Sequence, residues 1–104
     1  MKITNKIKII GFDWEIVTGK KGDDVSYEGS CFGSTHVHTQ KIFLDKDTSQ
    51  QNQEQCFIHE ILHAIWWQVG LSKRKDIGKN LDEEIIHPLA QGLYQVLKDG
   101  NLLK

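Results

Sequence analysis

Cys56-Phe57-Ile58-His59-Glu60-Ile61-Leu62-His63-Ala64-Ile65-Trp66-Trp67 is the stretch that decides this chain. It carries H-E-x-x-H inside a mostly apolar, strongly helical run. On an α-helix, residues four apart lie on one face, one turn above each other. His59 and His63 can therefore aim an imidazole nitrogen at one metal ion. Glu60 is rotated from His59 by about 100°. Its carboxylate then stands beside such an ion rather than on it, within reach of a water. Zinc takes His nitrogens at about 2.0–2.1 Å, and a catalytic zinc keeps one position open. Two neutral ligands and one base are what zinc-assisted hydrolysis needs. The competing reading is two helical histidines bonded to carboxylates or backbone.

The helix around this motif is expected over Gln51–Val69. Thr48 or Ser49 suits its N-cap, and Gly70 suits the position after its end. Ile58, Ile61, Leu62, Ile65, Trp66 and Val69 recur at helical spacing, so the helix should be nearly buried. Upstream, Lys6–Ile10 and Trp14–Thr18 alternate polar and apolar residues around Gly11-Phe12-Asp13, which reads as a hairpin. Gly19–Asp24 is a polar, glycine-punctuated loop. Val25–Cys31 reads as a third strand, Phe32–Thr35 as a turn, and His36–Asp45 as a fourth strand. On that strand His36 and His38 would share one face, either reaching a metal or oxyanion or lying exposed on an edge. Downstream, Leu71–Asn80 is a polar, basic connection. A last helix follows over about Asp82–Lys98, with the stripe Ile86, Leu89, Ala90, Leu93, Val96 and Leu97. Asp82 is a candidate cap, and Pro88 implies a bend or a later start.

The chain has 104 residues and a formal net charge of −1. This suits one domain, residues 1–104, with a single modest core. The charge balance gives no reason to expect nucleic acid or an anionic membrane as partner. Lys73-Arg74-Lys75 alone is a solvated run, and strong salt-dependent DNA binding would be needed to make it more. Two cysteines, Cys31 and Cys56, lie far apart and form no C-x-x-C pair, so a cysteine zinc site is not expected. The N-terminal Met1–Lys6 is too polar for a secretion signal, and no apolar run approaches membrane-spanning length. A reducing cytoplasm is the expectation.

A catalytic zinc normally has three protein ligands. After His63, no histidine or glycine falls at the metzincin offsets. The last helix is the natural source. On its wheel Glu83 and His87 lie one turn apart along the same edge of the apolar stripe, and periodicity does not choose between them.

Tyr27–Val96 resembles the small metallopeptidase-like proteins of phages and prophages, akin to the ImmA/IrrE group of gluzincin-type zincins. The residues that carry this resemblance are Ile42, Leu44 and Asp45, the glutamine-rich helix start, H-E-x-x-H-A-I, and Leu89–Leu97. It covers about two thirds of the chain. In that pattern the position before Pro/Ala-Leu-Ala, here His87, holds Glu or His. The resemblance therefore implies His59, His63 and His87 as zinc ligands and Glu60 as general base. The usual gluzincin ligand is a glutamate, so His87 is a departure. The expected fold is α+β, a minimal zincin with a small antiparallel sheet packed against the H-E-x-x-H helix and a C-terminal helix. The expected function is zinc-dependent peptide-bond hydrolysis by a phage- or prophage-encoded protein acting on a peptide or protein substrate. His36, His38 and Tyr94 are candidates to steady the oxyanion. The alternative is a zinc-stabilised binding module that cleaves nothing.

Overall fold

The computed structural model describes residues 2–20, 33–73 and 79–102, with side chains in the last segment from 83 onward. The strand expected over Val25–Cys31 lies outside them. β1 (Lys6–Ile9) and β2 (Phe12–Gly19) form the antiparallel hairpin read from the alternation. Its turn is Ile10-Gly11, both at positive φ, the mirror-image turn whose twist matches paired strands. β3 (Gly33–His36) and β4 (Lys41–Asp45) complete a four-stranded sheet of order β1-β2-β4-β3. β2 and β4 run parallel, with antiparallel pairs on either side. The sheet is thus mixed, not antiparallel as the hairpin pattern implied. Side-chain alternation is the same for either strand direction, so direction was not encoded in it.

The turn expected at Phe32–Thr35 is instead largely β3, and residues 37–40 form the turn. His36 therefore ends β3 while His38 lies in the turn, and the two do not share a strand face. Gly33 sits where β3 presses on the first helix. A Cβ there would stand 2.6 Å from both Cys56 Sγ and the Phe43 carbonyl oxygen. The glycine that looked like a turn signal permits close packing.

α1 (Gln50–Gln68) is capped by Ser49, whose hydroxyl accepts from the Asn52 backbone N–H at 3.1 Å. Val69 ends it, followed by Gly70 at φ 86°. Its apolar stripe is two faces. Phe57 and Ala64, with Ile61 and Ile65, pack on Ile9, Trp14, Ile16, Ile42 and Leu44 of the sheet. Ile58 and Leu62 pack on Ala90, Tyr94 and Leu97 of α2 (Lys79–Asp99). The order of layers is sheet, α1, α2. The C-terminal helix packs chiefly on α1 and not on the sheet.

α2 begins at Lys79, so Asp82 lies inside it rather than capping it. Pro88 is accommodated within the helix, at the cost of one main-chain hydrogen bond to residue 84. The expected stripe is rotated: Ile86, Ala90 and Tyr94 are buried, while Leu89, Leu93 and Val96 are exposed. Among the described residues no helix is long and apolar enough to cross a membrane.

The Tyr94 hydroxyl donates to Glu54 Oε1 at 2.6 Å, and Gln50 Nε2 donates to Oε2 at 3.2 Å. Tyr94 is therefore a tie between the two helices. The phenol holds the Glu54 carboxyl below its ordinary 4.5. Burial and the adjacent carboxylate push Tyr94 up to about 12. Tyr94→Phe is expected to cost about 2 kcal/mol near neutrality, the worth of a hydrogen bond to a charged group. Glu54's folded pKa lies below its unfolded one. The stability it contributes is present above the unfolded value and lost as pH falls through the folded one. Urea unfolding of both proteins should thus show a gap at neutral pH that narrows in acid. Equal stability at neutral pH would rule the tie out.

Candidate metal centre

α1 and α2 run antiparallel, and their facing surfaces bring four polar side chains together. His59 Nε2 lies 2.9 Å from Glu83 Oε1, and His63 Nε2 lies 2.8 Å from Glu83 Oε2. The two Nε2 atoms are 3.1 Å apart. The histidine rings are mostly covered and Glu83 is half-exposed. His87, one turn beyond Glu83, stands edge-on to His59 with ring centroids 5.7 Å apart. The ligand atoms of His59, Glu83 and His87 all lie within 4.8 Å of one another. Of the candidate ligands on the two helices, His59, His63 and Glu83 thus meet, with His87 near His59 and Glu83. Glu83 is in direct contact with both motif histidines, and His87 stands farther out.

The donor set fits a metal ion on two grounds. Two ligands of a tetrahedral zinc at 2.0–2.1 Å are about 3.3 Å apart, close to the separations of 2.8, 2.9 and 3.1 Å seen here. Proton chemistry points the same way. If each imidazole offers an N–H to Glu83, two N–H groups crowd each other across 3.1 Å. A cation would need each imidazole to carry its proton on Nδ1, which leaves both Nε2 lone pairs and the carboxylate to hold it. Burial, the largest influence on His59, pushes its pKa below 6.5, against the pull of Glu83. That favours the neutral imidazole a metal requires.

Glu60 lies on the adjoining face of α1. The rotation that separates it from His59 turns it to the sheet side of α1, where it is 7 % exposed. Thr35 of β3 donates its hydroxyl to Glu60 Oε1 at 2.8 Å, with the Glu60 carbonyl oxygen at 3.2 Å sharing it. Among the described residues Oε2 accepts no hydrogen bond. Burial is the main cause that raises the Glu60 pKa above 4.5, and Thr35 opposes it. Thr35 was not foreseen. In the β3–β4 register it pairs with Ile42 and shares the α1-facing side, whereas His36 pairs with Lys41 on the opposite side. His36 bonds Ser34 Oγ at 3.0 Å. Period-2 alternation would have singled out Thr35 had Gly33 not read as a turn.

Glu60 and His63 open on a cleft of about 270 Å³, lined also by Thr35, Val37, Trp66, Trp67 and Ser72. The two tryptophans thus border the site. His38 packs edge-on against Trp67 at 6.3 Å, at the side of this cleft. Of the oxyanion candidates, Tyr94 is spent on Glu54 and His36 faces away. Comparison with protein-family models, curated proteins and solved structures returns no match to this chain.

Proposed function

We propose that the protein is a zinc-dependent metallopeptidase acting on a peptide or protein substrate, of the phage- or prophage-encoded kind that its motif pattern resembles. The observation that carries this is the convergence of His59 Nε2, His63 Nε2 and the Glu83 carboxylate, with Glu60 on the adjoining face. His59, His63 and Glu83 would hold the ion. A bound zinc supplies Lewis-acid polarisation of a carbonyl and a more acidic water. Glu60 is the proton carrier. Thr35 pins its Oε1, which leaves Oε2 to take a proton from water and deliver it to the leaving amine. The covered position beside Phe57 and Ala64 keeps that carboxylate basic. Val37, Trp66 and Trp67 give the cleft apolar walls for a peptide side chain, and Thr35 orients the base from the same wall.

The binding-module reading is favoured by one observation, the further donor His87 close to His59 and Glu83. Both readings require the metal. Protein purified without chelator, or reconstituted, is expected to carry about one zinc per chain. Its melting temperature should rise with zinc, because only the folded chain presents the assembled donors. Metal analysis with thermal melts tests this. Failure of both preparations to retain zinc, with melting indifferent to the ion, would sink the reading.

A further inference from the structure

His87 lies too close to two of the three contacting donors to be a bystander. Its ligand atom is within 4.8 Å of those of His59 and Glu83. Joining them at the roughly 3.3 Å spacing of tetrahedral zinc ligands needs a shift of no more than about 1.5 Å. His87 is solvent-exposed, so its ring has room to turn. The imidazole has a second partner one turn along α2: Gln91 Nε2 stands 3.3 Å from His87 Nε2. That amide donates to the Nε2 lone pair, and Nε2 is one of the two ring nitrogens that can bind a metal. The contact is long for a hydrogen bond and both residues are exposed, so it is weak and easily exchanged. The His87 ring thus has two competing partners, an amide N–H and a metal ion, and its choice sets the number of protein ligands.

We propose that His87 is a displaceable fourth ligand, closing the coordination of the His59–His63–Glu83 site when it turns inward and leaving a position open when it turns to Gln91. The proposal rests on the zinc reading above. A four-ligand protein site is closed and structural, whereas three ligands with an open position are catalytic. A swing of one exposed side chain therefore takes the protein between a latent, zinc-stapled form and a competent one. The occupant that displaces His87 would be a substrate carbonyl or another oxygen ligand.

X-ray absorption at the zinc edge counts imidazoles directly, without any need for turnover. The zinc-loaded full chain should show three imidazoles. His87→Ala should show two, with zinc still bound at about tenfold lower affinity. Acetohydroxamate, a small bidentate oxygen ligand, should bring the wild-type count from three to two. Gln91→Ala should require more acetohydroxamate for the same change, because the competing amide is gone. Two imidazoles in wild type, unchanged in His87→Ala, would overturn the proposal and leave the zinc reading standing. Three imidazoles that acetohydroxamate cannot reduce would make His87 a permanent ligand, and displacement would be refuted. Absence of bound zinc in wild type would remove the zinc reading and this proposal together.

Discussion

Glu60→Gln is expected to lower peptide hydrolysis by about 100- to 10,000-fold, the range that a positioned general base contributes. Zinc content should be unchanged, because the Glu60 carboxylate is held by Thr35 of β3 on the face adjoining His59 and His63 and is not one of the converging donors. The fold should also survive. The amide oxygen can accept the Thr35 hydroxyl as the carboxylate does at 2.8 Å. Stability of the metal-free variant should equal or exceed wild type near neutrality. The sign follows from burial. Glu60's folded pKa lies above its ordinary 4.5, so what it contributes to stability is present below the unfolded value and lost as pH rises through the folded one. Near neutrality the charged carboxylate is a burden that the neutral amide lifts, and in acid the two proteins should converge. Peptide-cleavage assays, metal analysis and melts at two pH values check the three parts. A variant that cleaves like wild type, or that loses its zinc, would remove Glu60 from the role of base.

Glu83→Ala should weaken zinc binding by more than about 100-fold. Residues that merely orient metal ligands are worth 10–100-fold, and Glu83 stands in direct contact with both motif histidines at 2.9 and 2.8 Å. Glu83→Gln should recover part of the loss, since one oxygen remains to point at the site without the charge. His87→Ala should cost much less than Glu83→Ala. Competition against a chromophoric chelator ranks the three variants. If Glu83→Ala keeps the metal and His87→Ala loses it, the roles of the two α2 residues are exchanged.

The difference between these two residues marks how far the sequence can be read. Their shared edge of the last helix was legible from the 3.6-residue period, and so were the H-E-x-x-H face, the Ser49 cap and the β1–β2 hairpin. Those features depend on local geometry alone. The choice between Glu83 and His87 depends on the distance from each to α1, which is set by how Ala90 and Tyr94 pack on Ile58. A helical wheel has no such information. The same limit explains the apolar stripe of α2, whose two halves look equal on the wheel although only one meets α1. It explains the parallel pairing of β2 with β4, since alternation carries no direction. β3 was hidden for a different reason. Gly33-Ser34-Thr35 has turn composition, but the glycine is demanded by Cys56 and the Phe43 carbonyl pressing on it. With the strand unseen, Thr35 could not be placed against Glu60.

The layer order has a consequence for how the molecule opens. α1 is shared by two apolar clusters, one with the sheet and one with α2. Peeling α2 away breaks the smaller cluster and the Glu54–Tyr94 tie, yet leaves Trp14, Ile42, Leu44 and Phe57 packed. Partial opening follows the boundary with fewest buried contacts, so α2 is the cooperative unit that detaches first. That single motion carries Glu83 and His87 off His59 and His63 together, while Glu60 stays bonded to Thr35 on the other side of α1. Half of the centre sits on the helix held by both clusters and half on the helix held by the smaller one. A bridging ion would fasten the loose half to the firm one, so docking of the C-terminal helix and assembly of the metal centre are one event.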